Sequence, residues 1–212
     1  MKKLVFLSLA CVVIASTAAV AGQHLVGGSA TGGNTIPFWA TYGGMRWQTI
    51  WSQSNINEAG PISMVEFITY STGISSTNTF NTCKILLCHT TLTHVTASYT
   101  GNYGGNTPVT VFDGTKVIPA TGGNTWVSIV EPTNFTYNNT NNLLIEVSWV
   151  SATGYRCDFQ VNSRGSHGRV YSNNPTASSG SVTNNYDQLG RITVGYVGVA
   201  PTSLGRIKTF YN

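Results

Sequence analysis

The chain has 212 residues, of which only 8% are charged, and its 11 basic and 7 acidic side chains give a formal charge of +4. Ordinary soluble domains carry about 25% charged residues, so the polar surface here must be built from Asn, Thr, Ser and Gly. Charge this weak and dispersed gives no footprint for nucleic acid or for an anionic membrane surface.

Residues 1–21 read as a signal peptide. Lys2 and Lys3 supply a positive start, residues 4–20 are apolar and small, and Ala19-Val20-Ala21 fits a small-x-small cleavage site. Cleavage there exports the chain, makes Gly22 its first mature residue and lowers the formal charge from +4 to +2. A membrane anchor fits less well than cleavage, and so does a lipid on Cys11, because the apolar run continues past that residue. No later segment is long and apolar enough to span a bilayer. The mature part is long enough for one domain with a sizeable core.

Residues 22–35 are Gly-rich, with little apolar pattern beyond Leu25 and Val26, and are expected to form a flexible arm. The domain is expected over 36–212. Residues 36–42 suggest a short edge strand, and 46–52, 62–70 and 80–89 read as strands. Residues 99–107 form a Gly-rich loop carrying Tyr99 and Tyr103. A strand at 109–112 is expected to turn back at Asp113-Gly114 into 116–118. Residues 126–130 form another strand. The strongest alternation lies at 141–150, where Leu143, Ile145, Val147 and Trp149 share one face. Short strands follow at 156–161 and 168–171. The polar stretch 172–190 is long enough to be either functional or mobile, and strands at 192–199 and 206–211 end the chain. About ten to twelve strands with Gly/Asn/Ser turns predict an all-β, single jelly-roll-type antiparallel sandwich.

Export makes a disulfide plausible among Cys83, Cys88 and Cys157. Cys83 and Cys157 share the parity of their core-facing neighbours, so that pair is expected first, with Cys88–Cys157 as its rival. The thiol left over reads as a buried free cysteine or an intermolecular bond.

The middle of the chain resembles a secreted β-sandwich domain that recurs in surface and extracellular proteins of several bacterial groups. The matching residues are Arg46-Trp47-Gln48, Ile50-Trp51, Ala59-Gly60-Pro61-Ile62, Phe67, Thr79-Phe80 and His89-Thr90. They continue with Gly104-Gly105, Thr107-Pro108-Val109, Val111, Gly122, Trp126, Phe135, Tyr137 and the run from Asn141 to Val147. The resemblance covers about 38–150 and implies a jelly-roll-type sandwich with no general catalytic role.

No catalytic motif is present, and the expectation is a protein that is not an enzyme. Glu66 and Glu146, both inside strands, are the one carboxylate pair that could face each other across a sheet as a glycosidase requires. No G-x-S-x-G elbow accompanies the four histidines. No cofactor is expected. Calcium stays open as an ion that jelly-roll domains often bind, although no D-x-D-x-D-G loop is present, and zinc has no C-x₂-C pair.

Two functions fit. The first is a self-assembling subunit of an extracellular fibre or layer, in which His24, Leu25 and Val26 add a strand to a neighbour's sheet edge. The second is a carbohydrate-binding or adhesion module that uses Tyr99, Tyr103 and the 172–190 loop as an exposed aromatic and polar surface. Arg164, His167 and Arg169 form a small basic cluster suited to an anion or a partner.

Overall fold

The computed structural model describes residues 21–131 and 133–195. Residues 1–20 of the expected signal, the later part of the strand expected at 192–199 and the strand expected at 206–211 lie outside the described residues.

The chain is built from β1 (Gly22–Val26), β2 (Gly32–Asn34), β3 (Met45–Trp51), the single turn α1 (Gln53–Ile56), β4 (Gly60–Ile68) and β5 (Asn78–Thr90). It continues with β6 (Val109–Ile118), β7 (Trp126–Val130), β8 (Thr136–Tyr137), β9 (Asn142–Trp149) and β10 (Ser151–Thr153). The last strands are β11 (Phe159–Asn162), β12 (Arg169–Ser172), β13 (Ser181–Thr183), β14 (Asp187–Gln188) and β15 (Gly190–Val194). All named pairings are antiparallel.

One sheet runs β1-β15-β4-β7, with β8 also on β4. A larger sheet runs β10-β5-β9-β3-β12-β13, with β6 also on β5. A small third sheet, β14-β11-β2, accompanies them. Alternation along the strands sends every second side chain to one face. Trp47 and Trp51 of β3, Ile85 and Leu87 of β5, and Leu143, Ile145, Val147 and Trp149 of β9 thereby reach one core. The same core holds Ile62, Val65 and Phe67 of β4, Val127 and Ile129 of β7, and Ile192 and Val194 of β15. The two main sheets therefore pack as a sandwich around shared apolar contacts. Phe67 is a hub of this core, with its ring centroid 6.4 Å from Phe38, 6.1 Å from Trp47, 6.3 Å from Trp51 and 5.5 Å from Phe159.

Four expectations change. The stretch 22–35 is not a free arm. Its first residues pair with β15 in the register Gly22↔Val194 to Val26↔Gly190, and its last pair with β11. Val26 is buried in the core while Leu25 is 67% exposed. The Gly content hid a short period-2 stretch, His24-Leu25-Val26, that needs only one side chain in the core to dock. Second, Asp113-Gly114 is not a turn. β6 runs straight through it, with Asp113 opposite Lys84 and Gly114 opposite Cys83. The pairing is irregular elsewhere: a register shift between Phe80 and Cys83 puts an extra residue in β5 with Thr82 at φ 50°, and a second between Ile85 and Leu86 leaves Val111 of β6 extra.

Third, Cys83, Cys88 and Cys157 are all free and buried. Cys88 belongs with the cluster on the far side of the larger sheet, which separates it from the other two. Burial pushes the Cys83 thiol up to about 12 and the Cys88 thiol up to about 11, and it raises Cys157 as well. These are thiols with little thiolate to react at neutral pH. Fourth, the polar stretch 172–190 is organised by β13 and β14, and residues 36–42 contribute only the isolated bridge Trp39↔Arg156.

Candidate functional site

The outer face of the larger sheet is covered rather than solvated. Ile50, Leu144, Val170 and Cys88 meet Val95, Tyr99 and Tyr103 from the loop that follows β5. Tyr99 and Tyr103 are buried, which corrects the expectation that they form an exposed binding pair. Their role is to close a polar network. The Glu146 carboxylate accepts from Arg46 Nε at 2.9 Å, Arg46 Nη2 at 3.2 Å, Gln48 Nε2 at 2.5 Å and the Tyr103 hydroxyl at 2.7 Å. Gln48 also donates to the Tyr99 carbonyl and accepts from Asn102. Burial raises both tyrosine pKa values, so both remain phenols.

This network fixes a second loop. Arg46 Nη1 donates to the Ala177 carbonyl at 2.8 Å, Tyr99 N–H donates to the Ser178 carbonyl at 3.2 Å, and Gly180 N–H donates to the Ala97 carbonyl at 3.0 Å. At Gly180 a Cβ would lie 2.5 Å from the Tyr171 carbonyl oxygen and 2.6 Å from the Tyr99 hydroxyl, so no side chain fits there. The 172–180 segment is thus clamped between β12 and the 96–103 loop.

The basic cluster is divided by the fold. Residues 165–168 curl around the buried Asp187, whose carboxylate accepts the backbone N–H groups of Ser166, His167 and Gly168 at 3.1, 3.0 and 2.7 Å. His167 Nδ1 lies 3.0 Å from the same carboxylate. Gly165 is required because a Cβ there would lie 2.2 Å from Asp187 Cγ. Arg164 stays exposed on this loop. Arg169 starts β12 and is buried, with its guanidinium carbon 5.4 Å from the Tyr171 ring centroid and 4.6 Å from that of Tyr186. His24 is not near this cluster, since its Nε2 lies 2.7 Å from Glu58 Oε2 beside β1.

What these clamps produce is a cleft of about 520 Å³ lined by Tyr42, Tyr171, Ser172, Asn173, Ser179, Gly180 and Ser181. Tyr42 is supported by Trp39, with ring centroids 4.5 Å apart. The register places Tyr171 between Trp47 and Ser181, so the floor of the cleft continues the core-facing side of the larger sheet. The lining is mostly polar, with hydroxyls, an amide and main-chain groups, only a small part of the half-buried Tyr42 and Tyr171 rings, and no ionised side chain.

The acid chemistry considered for Glu66 and Glu146 does not assemble. β4 sends Val65 and Phe67 inward and β9 sends Ile145 and Val147 inward, so the two glutamates lie on opposite outer faces of the sandwich. Each is buried against its own arginine, Glu66 with Arg191 and Glu146 with Arg46. His89 accepts the Asn138 N–H at Nε2, and burial lowers its pKa. No group of three or more His, Cys, Asp or Glu side chains suited to a metal occurs among the described residues. No helix among them is long and apolar enough to cross a membrane.

Sequence reasoning missed Tyr42 and Tyr171. The available signal was the alternation Arg169-x-Tyr171 followed at once by a Ser/Asn-rich stretch. No protein-family model matches this sequence, and no curated protein or solved structure matches it either.

Proposed function

We propose that this protein is an extracellular, non-catalytic carbohydrate-binding sandwich whose site is the cleft between Tyr42, Tyr171 and the 172–181 segment. The observation that carries this reading is the lining itself. Sugar hydroxyls exchange hydrogen bonds with Ser and Asn side chains, and the exposed parts of the Tyr42 and Tyr171 rings can take a C–H face; the polar partners dominate the lining and sit on a clamped frame. The jelly-roll-type arrangement and export through residues 1–21 belong to the same proposal.

The test is retention of the mature protein on a panel of insoluble and immobilised polysaccharides. Tyr42→Ala and Asn173→Ala are each expected to weaken retention about tenfold, equivalent to about 1.4 kcal/mol, with the thermal midpoint little changed. Retention on no polysaccharide of the panel, or binding indifferent to both substitutions, would sink the reading.

A second reading is assembly into fibres, and one observation favours it. β1 is an edge strand with no further strand paired to it among the described residues, although α1 and Glu58 lie beside it, and it carries the exposed Leu25. An edge of this kind can accept a strand from another copy. Because β1 already closes on β15, a free arm is not available, and exchange requires β1 to leave its own sheet. Electron microscopy of the mature protein tests this. Filaments that disappear in Leu25→Lys support edge pairing, and dispersed particles at high concentration remove it.

A further inference from the structure

Arg169 is out of keeping with the other arginines that the fold engages. Arg46 is paired to Glu146, Arg156 to Asp158 and Arg191 to Glu66. All three are more exposed than Arg169, which is 8% exposed. Its Nε is sealed from solvent and has no hydrogen-bond partner, and no carboxylate among the described residues pairs with it. The acid closest in sequence to its Tyr186 cover is Asp187, whose oxygens are taken up by Ser166, His167 and Gly168. A buried guanidinium without a counter-ion is costly, and the rings of Tyr171 and Tyr186 supply only a partial substitute. Burial lowers its pKa, partly offset by Tyr171, Tyr186 and Tyr42.

Its position relates this unmatched charge to the cleft. Arg169 and Tyr171 are two residues apart on β12 and face the same side, beside Thr183 and Ser181 of β13 in register. Two residues of strand span about 6.6 Å, roughly the width of one sugar ring. Tyr171 and Ser181 line the cleft, so Arg169 lies one side-chain step beyond its lining.

We propose that Arg169 is an anion-reading residue of this cleft, and that the glycan it selects is acidic, with a uronate-type carboxylate reaching the guanidinium past the Tyr171 ring. The inference rests on the carbohydrate-binding reading and narrows it to a substrate class. The two terminal amino groups of the guanidinium, rather than the sealed Nε, take the carboxylate in a two-point contact that a lysine does not reproduce. The aromatic sleeve keeps the fork oriented while the site is empty.

The experiment compares binding of the mature protein to polygalacturonate and alginate with binding to methyl-esterified polygalacturonate, which keeps the sugar backbone and removes the charge. The acidic polymers are expected to bind at least tenfold more tightly than the ester, with the difference shrinking as salt rises. Arg169→Met, which keeps the apolar stem, is expected to lose that preference, and Arg169→Lys to recover only part of it. Equal affinity of the wild-type protein for acid and ester overturns the inference even if either variant fails to fold. So does an undiminished preference in a folded Arg169→Met protein. Binding to neutral polysaccharides with indifference to charge would leave the cleft reading standing and remove this one. Binding to no polysaccharide would remove both.

Discussion

Urea denaturation of Glu146→Ala should show a loss of about 3–5 kcal/mol, the range found when one partner of a buried ion pair is deleted. Glu146 is 3% exposed and is the common acceptor for Arg46, Gln48 and Tyr103. Its removal leaves a half-buried guanidinium without its counter-charge and two buried donors without an acceptor, and unsatisfied groups of this kind cost about 1–3 kcal/mol each. The total stability of a domain is about 5–15 kcal/mol, so the variant should be close to its threshold. The damage should extend to the cleft, because Arg46 also holds the Ala177 carbonyl of its 172–180 wall. A double replacement, Arg46→Met with Glu146→Leu, should recover much of the stability, since it removes charge and counter-charge together. A single-variant loss under 1 kcal/mol would show that water already satisfies these groups and that the loop cover is not sealed.

Phe67→Ala should cost a similar amount, about 3–5 kcal/mol, through the cavity it opens. Phe67 is fully buried and touches aromatic rings supplied by β3, by β11 and by the segment before β3. It therefore joins elements from all three sheets, and the space left behind cannot be filled by one neighbour shifting. Phe67→Leu, which keeps most of the volume, should cost less than about 1.5 kcal/mol. The difference in urea midpoint between the two variants measures how rigidly the rings are held. If alanine and leucine behave alike, the core relaxes around the site and the sheets are less firmly joined than the contacts imply.

The strands at the centre were legible in the sequence because each satisfies a local rule. The alternation read at 141–150 and the runs read at 62–70 and 80–89 need only one apolar face to declare themselves. What escaped depends on partners far along the chain. Glu146 looks like any polar-face strand residue until Arg46, 100 positions earlier, is brought beside it. Tyr99 and Tyr103 sit in a loop with no periodicity, so nothing local shows that the loop folds back over the sheet. The Gly-rich start carried too little side-chain pattern to be read as β1, because its docking relies on main-chain pairing and on Val26 alone. Asp113-Gly114 misled for the opposite reason. A dipeptide with strong turn chemistry was overruled by the pairing of Phe112, Asp113 and Gly114 with Ile85, Lys84 and Cys83 of β5.

The pairing of Gly22 with Val194 has a consequence for how the molecule comes into being. The first strand's partner, β15, is the last strand among the described residues and is made about 170 residues later, so β1 stays without its mate until then. Topologies that depend on such distant closures form slowly. The central pairs β3–β9 and β5–β9 can close as soon as β9 is made, whereas the smaller sheet gains its β1 edge only once β15 is present, so the two faces of the molecule are completed at different times.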